Sequence, residues 1–78
     1  MLDDRVEALE FRIRQQSKVT DKPLMDLNLK KNLLICTIVR NGKIITPSGK
    51  DCIMNGDTVI VVTTNKGLTD ITDILDRA

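Results

Sequence analysis

The stretch LLICTIVRNGKIIT, Leu33 to Thr46, decides the fold. Leu33 to Val39 is apolar on both alternating sets of positions, with Leu33, Ile35 and Val39 on one face and Leu34, Cys36 and Ile38 on the other. A strand apolar on both faces is covered on both faces. Asn41-Gly42 then sits between two apolar runs, which is a hairpin signal, because a type I′ turn needs positive φ at both central residues. The returning strand is Lys43 to Thr46, and Pro47, lacking an N–H, ends the ladder. The hairpin places Arg40 at its bend.

Working outward, Val6 to Ile13 alternates Leu9, Phe11 and Ile13 against Glu10, Arg12 and Arg14, the pattern of a strand with one wet face. Asp21-Lys22-Pro23 is a helix-start signal, and Leu24, Met25 and Leu27 give the short helix an apolar side ending near Asn28 to Lys30. Ser48 to Gly56 is a loop carrying an apolar pair, Ile53-Met54. Asn55-Gly56-Asp57 turns into a second two-sided apolar strand, Asp57 to Thr64, and Asp57 is expected to bond backbone in that turn. Leu68 to Arg77 reads as a closing helix with Leu68, Ile71, Ile74 and Leu75 on one stripe and Asp70 and Asp73 facing away.

The expected order is β-α-β-β-β-α, an α+β sandwich with a mostly antiparallel four-stranded sheet and two helices on one face. Two helices, one of them short, cover only one face of such a sheet. The other face is expected to be closed by a second copy of the molecule around a two-fold axis, with the hairpin near the interface.

Composition narrows the function. With 78 residues there is one domain, 1–78, and a domain this small buries only about 60% of its unfolded surface. Phe11 is the sole aromatic, so the core is built from Leu, Ile, Val and Met. A net charge of +1 favours no polyanion, and nucleic acid is disfavoured by the missing basic balance and aromatic platform. There is no His to serve as a catalytic base or zinc ligand, and two cysteines do not complete a zinc site. Cys36 reads as a small strand hydrophobe and Cys52 as a loop residue, with no disulfide expected in a reducing compartment. Neither G-x-G-x-x-G nor G-x-x-x-x-G-K-[ST] occurs. The acidic start, Met1 to Arg5, lacks the charge order of a signal peptide, and no apolar run nears the about 20 residues of a membrane span. An enzyme is therefore not expected. Arg40 is the residue with two readings: a strand-end side chain with its head in water, or a bidentate clamp for a phosphate or carboxylate.

The stretch DKPLMDLNLKKNLLICTIVRNGKIITPSGKDCIMNGDTVIVV, with VEALEFRI ahead of it, resembles the TrkA-C domain, or RCK C-terminal domain, of bacterial potassium-uptake regulators over roughly Val6 to Asp76. The resemblance implies a regulatory, non-enzymatic domain that dimerises. It would serve a membrane potassium channel or transporter subunit from the cytoplasm, peripheral to the inner face of the cell membrane. It implies an isolated domain whose relatives carry an upstream Rossmann domain for NAD or ATP, with no cofactor in the C-terminal domain itself. In some relatives a small anionic regulator such as cyclic di-AMP, or another nucleotide, sits in the cleft between two subunits and meets an arginine at the position of Arg40. Ile38, Val39, Ile45, Thr46 and Pro47 would then line that cleft. Two other readings stand beside it: a dimerisation scaffold without a ligand, and the same module from an antiporter or a transcription regulator.

Overall fold

The computed structural model describes residues 6–76, so the acidic start from Met1 to Arg5 and Arg77, the expected last residue of the closing helix, lie outside the described residues. Four strands form one sheet: β1 (Glu7–Arg12), β2 (Leu33–Arg40), β3 (Lys43–Ile45) and β4 (Thr58–Thr63). Their order across the sheet is β1-β4-β2-β3, every neighbour antiparallel. The two strands expected to be apolar on both sides, β2 and β4, are the central pair. The hairpin forms at Asn41-Gly42, where φ is 52° and 78°, as a type I′ turn requires.

Strand β2 is not regular. Its register against β4 shifts between Ile35 and Thr37, leaving Cys36 as the extra residue of a β-bulge. A bulge shifts the alternation by one. Before it, Ile35 faces the core opposite Val61; after it, Ile38 faces the core opposite Val59. The expected grouping of Ile35 with Val39 and of Cys36 with Ile38 is thereby corrected, and Cys36 is exposed rather than packed. Because Arg40 follows Ile38 by two, it too lies on the core face.

The core consists of Ile13, Val19, Ile35, Ile38, Ile53, Val59, Val61, Ile71 and Ile74, flanked by Phe11, Leu24, Leu27, Leu29, Leu33, Ile45 and Leu75. No aromatic except Phe11 is needed to fill it.

The layer over this core corrects the second expectation. Neither predicted segment is an α-helix: each is a single 3-10 turn, at Leu24–Asp26 and Ile71–Ile74. The reason lies in where the backbone groups go. Leu24 N–H donates to Asp51 O and Met25 N–H to Gly49 O, while Asp21 N–H donates to Ile53 O, so the first segment is laced to the loop after β3. Lys30 N–H donates to Ile74 O and Asp76 N–H to Asn28 O, so the last described residues pair in extended form with residues 28–30. The donors that an α-helical ladder needs are taken: Leu27 N–H by Leu24 O, Leu29 N–H by Leu27 O, Lys30 N–H by Ile74 O and Asp76 N–H by Asn28 O. Asp70 adds to this. Its side chain accepts from Thr72 N–H and O–H, and Asp73 returns the box by accepting from Thr69 N–H and Asp70 N–H. A capping box at Asp70 makes Ile71 the first residue of the turn, so the expected start at Leu68 does not form. Asp70 and Asp73 are thus caps of a tight turn, not a solvated helix face.

Candidate functional site

Arg40 is where sequence and structure meet. Its guanidinium grips Asp57 through two parallel bonds, Nε to Oδ1 and Nη2 to Oδ2, both 2.9 Å. Nη2 also donates to the Cys52 carbonyl at 2.9 Å. Asp57 Oδ2 accepts a third bond, from Met54 N–H at 2.9 Å. The Asp57 side chain is 1% exposed and that of Arg40 is 33% exposed. A buried carboxylate thus meets a guanidinium that is partly in water, in the fork geometry that favours arginine over lysine.

The electrostatics follow. Burial works against a charged Asp57, yet the bonds from Arg40 and Met54 N–H, with the Arg40 charge, outweigh it and hold the carboxyl below its ordinary value. The Asp57 bond raises Arg40 in turn, with Asp51 contributing charge. The bulge at Cys36 is what makes the pair possible. With Ile35 facing inward, a regular strand would send position 40 to the opposite face. Of the two readings of Arg40, neither a free head in water nor a vacant clamp describes the subunit: the side chain fastens the end of β2 to the 52–57 loop.

The other sequence-predicted site residues do not share one surface. Ile38 is fully buried in the core beneath the hairpin. Ile45 pairs with Ile38 and packs against the same core. Val39 pairs with Ile44 on the outer face. Thr46 is exposed, and Pro47 lines a hollow of about 220 Å³ together with Leu24, Met25, Leu29 and Leu34. A larger concavity of about 670 Å³ lies elsewhere, against Lys18, Lys30 and Asp73, and holds none of the predicted residues. Its mixed charges select no particular ligand.

Sequence reasoning gave Asp57 a role in its turn, and Met54 N–H fills that role. What it missed was Asp57 as the partner of Arg40, along with the Cys52 carbonyl. A signal was present: an arginine closing a strand apolar on both sides needs a counter-charge, and Gly56-Asp57 opens the strand paired with it.

The outer face of the sheet is the second feature. Leu34 is 64% and Ile44 78% exposed. Val39 lies opposite Ile44 and Thr58, and Leu34 opposite Val62, which makes an apolar stripe across three strands. Glu10 and Arg12 on β1, opposite Ile60 and Thr58, supply both signs of charge at its border. Among the described residues no helix is long and apolar enough to cross a membrane.

The chain is similar to known proteins. The Trk system potassium uptake protein TrkA homolog of Pyrococcus abyssi is 31% identical over 72 residues, covering 91% of this chain and 32% of that protein. The TrkA homolog of Archaeoglobus fulgidus is 38% identical over 58 residues, 74% of this chain and 13% of that protein. The chain thus spans about a third or less of the curated relatives it matches. A solved structure described as an RCK domain with cda superposes with a TM-score of 0.64 at 25% identity, covering 76% of this chain and 81% of that one. The TrkA-C domain model matches residues 8–76, nearly the whole length, and the chain belongs to the TrkA-C domain family.

Proposed function

We propose that this chain is the regulatory, non-enzymatic domain of a potassium-uptake system, working as a homodimer on the cytoplasmic side of a membrane potassium transporter. The observation that carries the reading is the match to the TrkA-C domain over residues 8–76, joined to TrkA homologues on 91% of the chain. The dimer closes over the outer face, since Leu34 and Ile44 otherwise leave apolar surface in water.

The same reading includes a small anionic regulator of the cyclic di-AMP class, bound where two copies meet near the hairpin. A relative in fold was solved with cda. The hollow beside the hairpin, about 220 Å³, falls short of the about 300–1,000 Å³ of ordinary ligand pockets. A dinucleotide there needs walls from a second subunit. Arg40 retains Nη1, outside the three bonds to Asp57 and Cys52, as a donor to such an anion. Ligand binding across the cleft then favours one relative arrangement of the subunits, which is what differential affinity transmits to a transporter.

One observation favours the scaffold alternative, in which the dimer binds no regulator: Arg40 already makes three bonds inside the subunit. A thermal-shift titration with cyclic di-AMP, other cyclic dinucleotides, ATP, ADP and NAD separates the two. Ligand at 100 times its dissociation constant adds about 2.7 kcal/mol, and one saturable response is expected. Arg40→Lys, which keeps a charge beside Asp57, is expected to reduce it. A flat panel would leave the scaffold.

A further inference from the structure

Two Asn-Gly pairs stand in the sequence, Asn41-Gly42 and Asn55-Gly56, and the structure treats them differently. Both asparagines and both glycines are exposed, and both glycines have positive φ, 78° and 96°. Asn-Gly is the pair most open to intramolecular deamidation, because glycine has no side chain to crowd the attacking nitrogen. The other asparagines precede Leu29, Leu33 and Lys66 and lack that opening. Asn65 is also held through Nδ2, which donates to Lys31 O and Thr63 Oγ1.

We infer that Asn41 is a site of spontaneous covalent modification and that Asn55 is protected. In the reaction the deprotonated backbone nitrogen of Gly42 attacks Cγ of Asn41. A new bond forms between that nitrogen and Cγ, the Cγ–Nδ2 bond breaks, and ammonia leaves with the proton taken from the amide. Water then opens the succinimide ring at either carbonyl, giving aspartate or isoaspartate. No oxidant or reductant is required.

The discrimination comes from what must open first. The Gly56 N–H donates to Ile13 O at 2.8 Å, so the attacking nitrogen is occupied. The same turn is held by Asp57 N–H on Met54 O, Ile13 N–H on Asp57 O and Met54 N–H on the buried Asp57 carboxylate. Releasing Asn55 therefore dismantles the Arg40–Asp57 fastening. The Asn41 turn is anchored on one side through Arg40, but on the other only by β3, a three-residue edge strand whose Lys43 and Ile44 are exposed. Segments with few buried contacts open at the lowest free energy. The new carboxylate takes the net charge from +1 to zero. Isoaspartate adds an atom to the backbone of a two-residue turn, so the Arg40–Lys43 pairing is lost with it.

The test incubates the intact protein in mildly alkaline buffer and follows deamidation by mass spectrometry after Lys-C digestion. This separates the sites into Asn32–Lys43 and Asp51–Lys66. Asn41 is expected to react at least about tenfold faster than Asn55, the factor that ~1.4 kcal/mol of extra opening cost produces. In urea the two rates are expected to converge, since both pairs are Asn-Gly. Equal rates in the folded protein, a faster Asn55, or an Asn41 that reacts only in urea would each overturn the inference.

Discussion

The two faces of the sheet are built from the same residue types and meet opposite fates. Ile35, Ile38, Val59 and Val61 face inward and are buried under a layer of laced loops. Leu34, Val39 and Ile44 face outward, and Leu34 and Ile44 remain mostly exposed. Hydrophobicity alone does not distinguish the sides. The bulge at Cys36 does, by handing Ile38 and Arg40 to the inner face and Val39 to the outer one. The inner face is then sealed at its end by an ion pair, and the outer face keeps apolar side chains in contact with solvent.

The largest effect that sharpens this contrast is in the core. Ile38→Ala, at a fully buried position, is expected to cost about 2–5 kcal/mol in chemical denaturation. The seal comes next. Removing one partner of a wholly buried ion pair costs about 3–5 kcal/mol; with Arg40 a third exposed, Arg40→Ala is expected to cost about 2–3 kcal/mol. A double-mutant cycle with Asp57→Ala checks it: a coupling near zero would mean that the pair fastens nothing.

Acid sharpens the same point. Asp57, Asp70 and Asp73 all lie below their ordinary values in the folded protein, Asp57 despite its burial and the other two through hydrogen bonds from Thr72 and from Thr69 N–H. The folded protein therefore binds these protons less readily than the unfolded one. Stability is retained above the unfolded carboxyl value of about 3.9 and falls as pH drops below it, through the folded values. Asp57→Asn is expected to flatten part of that fall in pH-dependent melting.

How much of this was legible depended on the range of the determining interaction. The four strands, their order in the sequence and the Asn41-Gly42 turn were readable because side-chain alternation and turn chemistry are local. The two helices were misread because Lys30 N–H and Asp76 N–H, which a helical ladder would use, go to Ile74 O and Asn28 O, partners that no local pattern specifies. The bulge was hidden for a related reason. Cys36 is one apolar residue among many, and nothing in LLICTIVR marks where the alternation slips. Arg40 was singled out as a clamp for an anion, yet its bond to Asp57 spans 17 positions and depends on that slip. The Asp70 cap was within reach, since Asp-x-Thr-Asp is a sequence-local box, and it was read as a solvated stripe because the helix was assumed first.

That cap supplies a smaller prediction on the layer over the inner face. Asp70→Ala removes the acceptor for Thr72 N–H and O–H, and a lost cap of this kind costs about 1 kcal/mol. A melting curve displaced as far as that of Ile38→Ala would mean that the turn, not the sheet, organises the core.

The smallest expected effect on the single subunit is also the one that would break the contrast. Ile44 is 78% exposed, so Ile44→Lys removes little packing and is expected to change unfolding of the monomer by no more than about 0.5 kcal/mol. On the proposed dimer the same change places a charge on each side of an apolar contact, where an unpaired charge is poorly tolerated. Sedimentation should therefore show a wild-type dimer and a folded Ile44→Lys monomer. If wild type stays monomeric at high micromolar concentration, the outer face is not a self-association surface. If Ile44→Lys instead unfolds the protein, Ile44 is packed more closely than its exposure indicates, and the two faces differ less than the sheet geometry implies. Leu34→Lys, on the same stripe two strands from β1, tests the extent of the contact. A monomer from each of the two substitutions places both residues in it, whereas a dimer that survives Leu34→Lys confines it to the hairpin side.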